Sequence, residues 1–395
     1  MPRAGLLLAA LAALSALPAA GCARGPAAAP GAETGGRKLV VVLFGGGTRS
    51  AETVDDPEHR HIPRLWNELV PRGTLFTNAR VEGKVVHPNS AGSIVTGHWE
   101  WADLDWSRPV AHPTVFEICR MARNAPDTKA WAFVYASILA NIGGSGTLRK
   151  TDDRPNVVEP PTIPRSTAEK MDELMRGAAA SGRPGAEVAA AAECARLARS
   201  TGRVNLAGLR SDAARSFVER EFAAWQKGSG STSHDQFLTD RATACMKQFA
   251  PEVLLVAYGE IDCAHYGSWS RYAEAIRRTD ELTYRLWRAA EELPAYRGKT
   301  LFIILPDHGR ELDRPGGAGF IHHSDFYTDE GADEGCRRVF MLLVGPGVAA
   351  GRKTDRPVPI TSVAATGLEY LGLEPSANAA PSLLPLAGEG KSEAK

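Results

Sequence analysis

The chain has 395 residues, and its 46 Lys and Arg residues balance 46 Asp and Glu residues, so the formal net charge at pH 7 is zero. There is no basic excess to indicate nucleic acid and no polybasic tract to indicate an anionic lipid surface, so we expect no nucleic-acid partner. A hydrophobic content of 44% and a charged content of 23% are typical of globular proteins, and the length suffices for one large domain or two smaller ones.

The first 22 residues predict a secretory signal outside the folded domain. Residues 6–20 form an apolar run that is shorter than the ~20 residues a membrane-spanning helix needs. The run ends in Ala-Ala-Gly-Cys, which resembles a bacterial lipobox, so we predict that Cys22 becomes the lipidated N-terminus of a periplasm-facing envelope lipoprotein. The alternative is an ordinary signal that is cleaved near Ala20. Residues 23–36, rich in Ala, Gly and Pro, predict a flexible tether.

Hydrophobic patterning divides the next part of the chain into alternating strands and helices. A short β-branched run at 38–44 predicts a buried strand that ends in three glycines, Gly45 to Gly47. The same reasoning predicts a further strand at 130–135, strand or extended segments at 74–80 and 84–86, and helices at 61–69, 90–96 and 115–123.

Between about 140 and 250 the sequence changes to segments rich in Ala, Glu and Arg. Their spacing predicts helices at 186–199, 211–226 and 234–249, with one short strand candidate at 203–206. We interpret this part as a helical insertion or cap, because it offers too few strands for a separate α/β domain.

Strands and helices alternate again after residue 250. The pattern predicts a mostly parallel sheet covered on both faces, which is an α/β fold of the three-layer sandwich type. This domain spans residues 37–375, and the Ala-, Pro- and Ser-rich residues 376–395 predict a flexible tail. The predicted elements are strands at 253–258, 300–305 and 339–344 and helices at 270–293 and 361–371.

Acidic and histidine side chains follow two of these strands. One pair comes after the strand at 253–258, a second comes after the strand at 300–305, and two adjacent histidines lie further on. Because the carboxyl ends of neighbouring parallel strands meet at one crevice, we expect these side chains to converge. Carboxylates and imidazoles are the ligands of catalytic transition metals. The predicted ligands are Asp262, His265, Asp307, His308, His322 and His323.

Four segments in this order resemble the alkaline phosphatase superfamily, which includes sulfatases and nucleotide pyrophosphatase/phosphodiesterases. They are LVVVLF at 39–44, NSAGSIVTG at 89–97, DCAHYG at 262–267, and LFIILPDHG at 301–309 with HHSDF downstream. The resemblance implies an alkaline phosphatase-like fold with two metals. It implies that one metal is held by Asp262, His265 and either His322 or His323. The other would be held by Asp307 and His308 together with an N-terminal Asp and the nucleophile.

Two positions depart from the family pattern. The glycines at 45–47 stand where the family has the N-terminal Asp, and His87 stands where it has a Thr, Ser or modified Cys nucleophile. Asp262 and His265 are also one residue closer than the family spacing. We therefore predict that the first metal site is intact and the second is weakened. His87 is the candidate catalytic residue, either as a metal ligand or as a phosphoryl acceptor.

The glycines after the first strand offer a second hypothesis. The backbone N–H groups of Gly46 and Gly47, together with Arg49, are candidates for binding phosphate or sulfate. The alternative is a tight turn that has no ligand.

These features predict a metal-dependent hydrolase of small-molecule phosphate or sulfate esters, held at the membrane by a lipid anchor. Its cofactor would be a divalent transition metal, zinc in preference to manganese, as one or two ions. The alternative is a catalytically degenerate lipoprotein of the same fold that binds a metal or an anion without turnover. The altered nucleophile position supports this alternative.

Overall fold

The computed structural model describes residues 36–145, 147, 153–228, 231–262, 269–312 and 334–388. The predictions for Cys22, His265, His322 and His323 lie outside the described residues. Within the described ranges, no helix has the length and apolar character needed to cross a membrane.

A nine-stranded, mostly parallel sheet forms the centre of the described structure. Its strands are β1 (Lys38–Leu43), β2 (Gly73–Arg80), β3 (Ala130–Val134), β4 (Asn156–Val158), β5 (Val253–Ala257), β6 (Thr300–Leu305), β7 (Arg338–Val344), β8 (Arg352–Thr354) and β9 (Val358–Pro359). Their order is β4-β3-β5-β1-β6-β7-β2-β8, and β9 pairs with β2. Among these described pairings, β7 alone runs antiparallel to its neighbours, β6 and β2.

Helices cover the sheet on both faces. They are α1 (His87–Thr96), α2 (Val115–Arg123), α3 (Arg165–Ser181), α4 (Ala186–Thr201), α5 (Asp212–Lys227), α6 (His234–Phe249), α7 (Trp269–Glu292), α8 (Ser362–Leu371) and α9 (Leu384–Gly388). In β1, Leu39 and Val41 pack with α1, α2 and α8, whereas Val40 and Val42 pack with α5, α6 and α7. Because successive strand side chains point to opposite faces, a strand buried on both sides is apolar throughout. The predicted three-layer α/β sandwich is confirmed.

Helix α1 begins earlier than its sequence predicts. The expected helix at 90–96 starts three residues sooner, at His87. Val86 is extended at φ −144° and ψ 150°, and Pro88 is suited to a first helical turn because it has no N–H to leave unsatisfied. The extra residues place His87 at the start of the helix. No strand is assigned to 84–86, and Val86 has the extended backbone that was the other form of that prediction.

The insertion and the C-terminal segment also differ from expectation. The sequence prediction missed α3 and the short strand β4, which extends the main sheet beside β3. The strand candidate at 203–206 contributes a single bridge, from Arg203 to Thr162. The expectation of a flexible tail is wrong for 384–388, because α9 forms there and Ala387 is fully buried against the core.

Candidate metal centre

The three central strands end at the same level of the sheet. Leu43 of β1 pairs with Ala257 of β5 on one side and with Leu305 of β6 on the other. The loops that follow these strands therefore begin side by side at the carboxyl edge. The structure thus brings the loops of Asp262 and Asp307 together, with the start of α1 beside them.

His87 bridges the two carboxylates. Its Nδ1 lies 2.8 Å from Asp307 Oδ2, and its Nε2 lies 3.2 Å from Asp262 Oδ1. His87 is 8% exposed and Asp307 3% exposed, while the Asp262 side chain is 25% exposed. The imidazole therefore joins the loops after β5 and β6 from within the protein, and Asp262 forms the more open side of the centre.

The charges at this bridge reinforce one another. Burial alone would lower the pKa of His87, but the carboxylates of Asp307 and Asp262 outweigh it and raise that pKa to about 10. Burial would raise the pKa of Asp307, but His87 and His308 hold it below its usual value. In the metal-free protein at neutral pH, His87 is therefore an imidazolium between two carboxylates.

Gly46 provides the space that the imidazole occupies. A Cβ at this position would lie 2.0 Å from His87 Cε1, 2.3 Å from His87 Nδ1 and 2.9 Å from Asp307 Oδ1. Each distance is well inside van der Waals contact, so any side chain at residue 46 would displace the ring. The missing carboxylate after β1 and the unusual His87 are separate departures in the sequence, but in the structure they form one arrangement.

His308 completes the centre with a defined tautomer. It is fully buried, and its ring centroid lies 4.5 Å from that of His87. Its Nδ1 lies 2.8 Å from the carbonyl oxygen of Gly309, and a carbonyl only accepts, so Nδ1 carries the proton. In the neutral ring the lone pair is therefore on Nε2. Burial lowers the pKa of His308 to about 4, although the Asp307 carboxylate acts in the opposite direction. The low pKa keeps the His308 ring neutral at physiological pH.

The donor set suits a divalent transition metal. His87, Asp307 and His308 each offer a ligand atom, and these atoms all lie within 4.8 Å of one another. Zinc binds such atoms at about 2.0–2.2 Å, which places neighbouring ligand atoms of a tetrahedral site about 3.3 Å apart. A backbone carbonyl that holds the second nitrogen of His308 is the usual support of a ligating imidazole.

The glycine turn and Arg49 are engaged with the protein. The N–H of Gly47 donates to the carbonyl of His308 at 3.0 Å. Arg49 is buried, and its guanidinium donates to both carboxylate oxygens of Glu52, at 2.7 and 2.5 Å, and to the carbonyl of Glu311 at 3.1 Å. The N–H of Gly47 and the guanidinium of Arg49 thus have partners within the protein, and the anion site stays a prediction.

Tyr135 is a neighbour of the centre that sequence reasoning missed. Its ring meets His87 edge-on at 5.7 Å. A Cβ on Gly259 would lie 2.2 Å from the Tyr135 ring, so this glycine allows the loop after β5 to pack against the tyrosine. The position of Tyr135 directly after β3, the neighbour of β5, was the signal that could have identified it.

No protein family and no curated protein matches the sequence. Solved structures do match it. Ps i-CgsB in complex with k-i-k-neocarrahexaose is 14% identical with a TM-score of 0.55, and the alignment covers 88% of this chain and 75% of that one. The phosphonate monoester hydrolase of Agrobacterium radiobacter is 15% identical with a TM-score of 0.51, and the alignment covers 91% of this chain and 78% of that one. The PsFucS1 sulfatase from Pseudoalteromonas sp. is 13% identical with a TM-score of 0.50, covering 85% and 68%.

The chain thus has the α/β sandwich fold shared by sulfatases and phosphonate monoester hydrolases. This likeness agrees with the three-layer α/β sandwich predicted from the sequence. At such low identity the likeness concerns the fold, and function has to be argued from the residues of the site.

Proposed function

We propose that the protein is a metal-dependent hydrolase of small-molecule phosphate or sulfate esters. One observation carries the proposal. Two imidazoles and a carboxylate converge at the carboxyl edge of the sheet, where ligands bind in open α/β folds. The similarity of the fold to sulfatases and phosphonate monoester hydrolases supports this substrate class.

The residues of the centre take complementary roles in this proposal. A bound zinc or manganese ion would supply Lewis acidity and activate water at neutral pH. His308 offers Nε2 as a ligand, and Asp307 offers its carboxylate. His87 offers Nδ1 once its proton leaves, while Nε2 keeps its proton and donates to Asp262, 3.2 Å away. An imidazole oriented by a carboxylate in this way is a common support for a metal ligand.

His87 is better placed as a ligand or charge carrier than as a phosphoryl acceptor. Both of its ring nitrogens face carboxylate oxygens. A nucleophilic nitrogen needs an open approach for the substrate, and these contacts block that approach in the structure as it stands. In this proposal Asp262 is also a ligand of the first metal site, together with His265 and either His323 or His322.

A second candidate function rests on the same bridge. The imidazolium of His87 already offsets one of the two negative charges of Asp262 and Asp307 without a metal. A protein of this fold that binds a metal or an anion without turnover is therefore the alternative. Metal binding in the absence of hydrolysis would favour it.

Metal analysis combined with a panel of phosphate and sulfate esters tests the proposal. We expect the purified protein to hold zinc or manganese and to hydrolyse at least one ester. Asp307→Ala should lose the ion held by His87, Asp307 and His308 and reduce turnover at least about 1,000-fold, since it removes a ligand and the counter-charge of His87. His112→Ala is the control, because this half-exposed histidine pairs with Glu100 outside the centre. A metal-free, inactive wild type would contradict the proposal, and two tightly bound ions would contradict the weakened second site.

We also propose that Cys22 anchors the protein to the bacterial envelope, facing the periplasm. The apolar run before Ala-Ala-Gly-Cys supports this localisation. Metabolic labelling with a fatty acid should mark the wild type and not Cys22→Ala, and the variant should move from the membrane to the soluble fraction. Unlabelled wild type in the soluble fraction would favour an ordinary signal cleaved near Ala20.

A further inference from the structure

Asp235 is a fully buried carboxylate at the start of α6, within the helical insertion. It accepts two backbone hydrogen bonds from the loop that follows β5. Its Oδ1 receives the N–H of Gly259 at 2.8 Å, and its Oδ2 receives the N–H of Glu260 at 3.0 Å. The carboxylate thus holds two consecutive peptide groups at the carboxyl edge of the sheet.

These two peptide groups begin the turn that presents Asp262. The N–H of Asp262 donates to the carbonyl of Gly259 at 3.1 Å, which closes the turn. Asp262 Oδ1 then lies 3.2 Å from His87 Nε2. Three short contacts therefore connect Asp235 with the metal centre.

Further contacts hold the same loop from both sides. Arg278 of α7 donates to the Glu260 carboxylate at 2.6 Å, and the Ser233 hydroxyl donates to Glu260 as well. On the other side, Gly259 packs against Tyr135, which also meets the His87 ring. The loop is held by the insertion, by α7 and by the end of β3.

We propose that Asp235 is a positioning residue for Asp262, and that the insertion helix α6 sets the geometry of the metal centre. The inference rests on the proposed function for its metal readout. It gives the insertion a role in the centre in addition to any role as a cap. Asparagine at 235 would place an NH₂ group opposite one of the two N–H donors, so one hydrogen bond would be lost and two donors would face each other.

Asp280 of α7 provides a matched control. It is equally buried, and it accepts the N–H groups of Leu65 at 2.7 Å and Arg64 at 2.8 Å. Both carboxyl groups have a pKa raised to about 7, and burial is the main cause for Asp235 and for Asp280. The two residues share the same chemistry, but Asp280 accepts from the start of the helical turn Leu65–Leu69, whereas Asp235 accepts from the loop after β5.

The experiment compares Asp235→Asn with Asp280→Asn in the full chain. Zn²⁺ affinity is measured by competition with a chelator, and amide hydrogen exchange is followed at residues 259–262. We expect Asp235→Asn to weaken Zn²⁺ binding about 10- to 100-fold and to speed exchange in that loop. Asp280→Asn should leave both unchanged, although both variants lower the melting temperature. If Asp235→Asn does not fold, Asp235→Ser, which keeps one acceptor, replaces it.

Two outcomes would overturn the inference. One is an Asp235 variant with wild-type Zn²⁺ affinity and wild-type exchange at 259–262. The other is an equal loss of Zn²⁺ affinity in both variants, which would indicate general destabilisation. A wild-type protein that binds no Zn²⁺ would instead contradict the proposed function, and the exchange measurement alone would then decide the role of Asp235.

Discussion

Gly46→Ala should destabilise the protein by about 3–5 kcal/mol, which is the cost of breaking a buried charge pair by displacing one partner. The new Cβ would lie 2.0 Å from His87 Cε1, so the imidazole would have to leave its position. Moving the ring is possible, but it separates His87 from Asp307 and leaves the Asp307 carboxylate buried without its counter-charge. Urea unfolding followed by circular dichroism would measure the loss.

Two comparisons isolate the cause. Gly177→Ala is the matched control, because no atom lies within 4 Å of a Cβ at this position in α3, and alanine there should stabilise the helix by about 0.5–1 kcal/mol. The second comparison is Gly46→Ala in a His87→Ala background. With the ring absent, the two shortest contacts of the added methyl group are removed, so its cost should fall by more than about 1 kcal/mol. The same cost in both backgrounds would show that the ring is not what Gly46 accommodates.

The central strands can be predicted from sequence because burial on both faces demands continuous apolar residues. This holds for β1, β5 and β6, which lie side by side in the middle of the sheet. It fails for β4, which has three residues and is too short to produce a pattern. The antiparallel direction of β7 likewise cannot be predicted from the residues of β7, because it depends on how the preceding connection crosses the sheet.

The centre is only partly predictable for a similar reason. Asp262 and Asp307 follow apolar strands closely, so their position at the carboxyl edge follows from local sequence. The contact between His87 and Asp307 spans 220 residues, and no local pattern encodes it. Gly46 contributes through the absence of a side chain, which has meaning only when its three-dimensional neighbour is known. Asp235 lies in an insertion with no local link to the loop that it holds.

His87→Gln should cost about 3–5 kcal/mol at pH 6 in the metal-free protein. Glutamine keeps a hydrogen-bond donor but lacks the charge, so Asp262 and Asp307 would face each other without a cation between them. The measurement is urea unfolding of wild type and variant in the presence of a chelator at pH 6, 8 and 10. His112→Gln is the control, since half-exposed pairs such as His112 with Glu100 contribute about 0–1 kcal/mol.

The pH dependence of this stability difference shows whether His87 acts through its positive charge or as a neutral hydrogen-bonding group. The pKa of His87 is raised from its ordinary value of 6.5 to about 10 in the folded state. Its stabilisation is therefore complete below pH 6.5 and is lost as the pH rises towards 10, because the unfolded state releases the proton first. His308, with its pKa lowered to about 4, stays neutral over this range and does not offset the change. The stability gap between wild type and His87→Gln should narrow steadily from pH 6 to pH 10. A gap that stays constant would mean that His87 acts as a neutral hydrogen-bonding group, and the centre would then need a metal to neutralise its carboxylates.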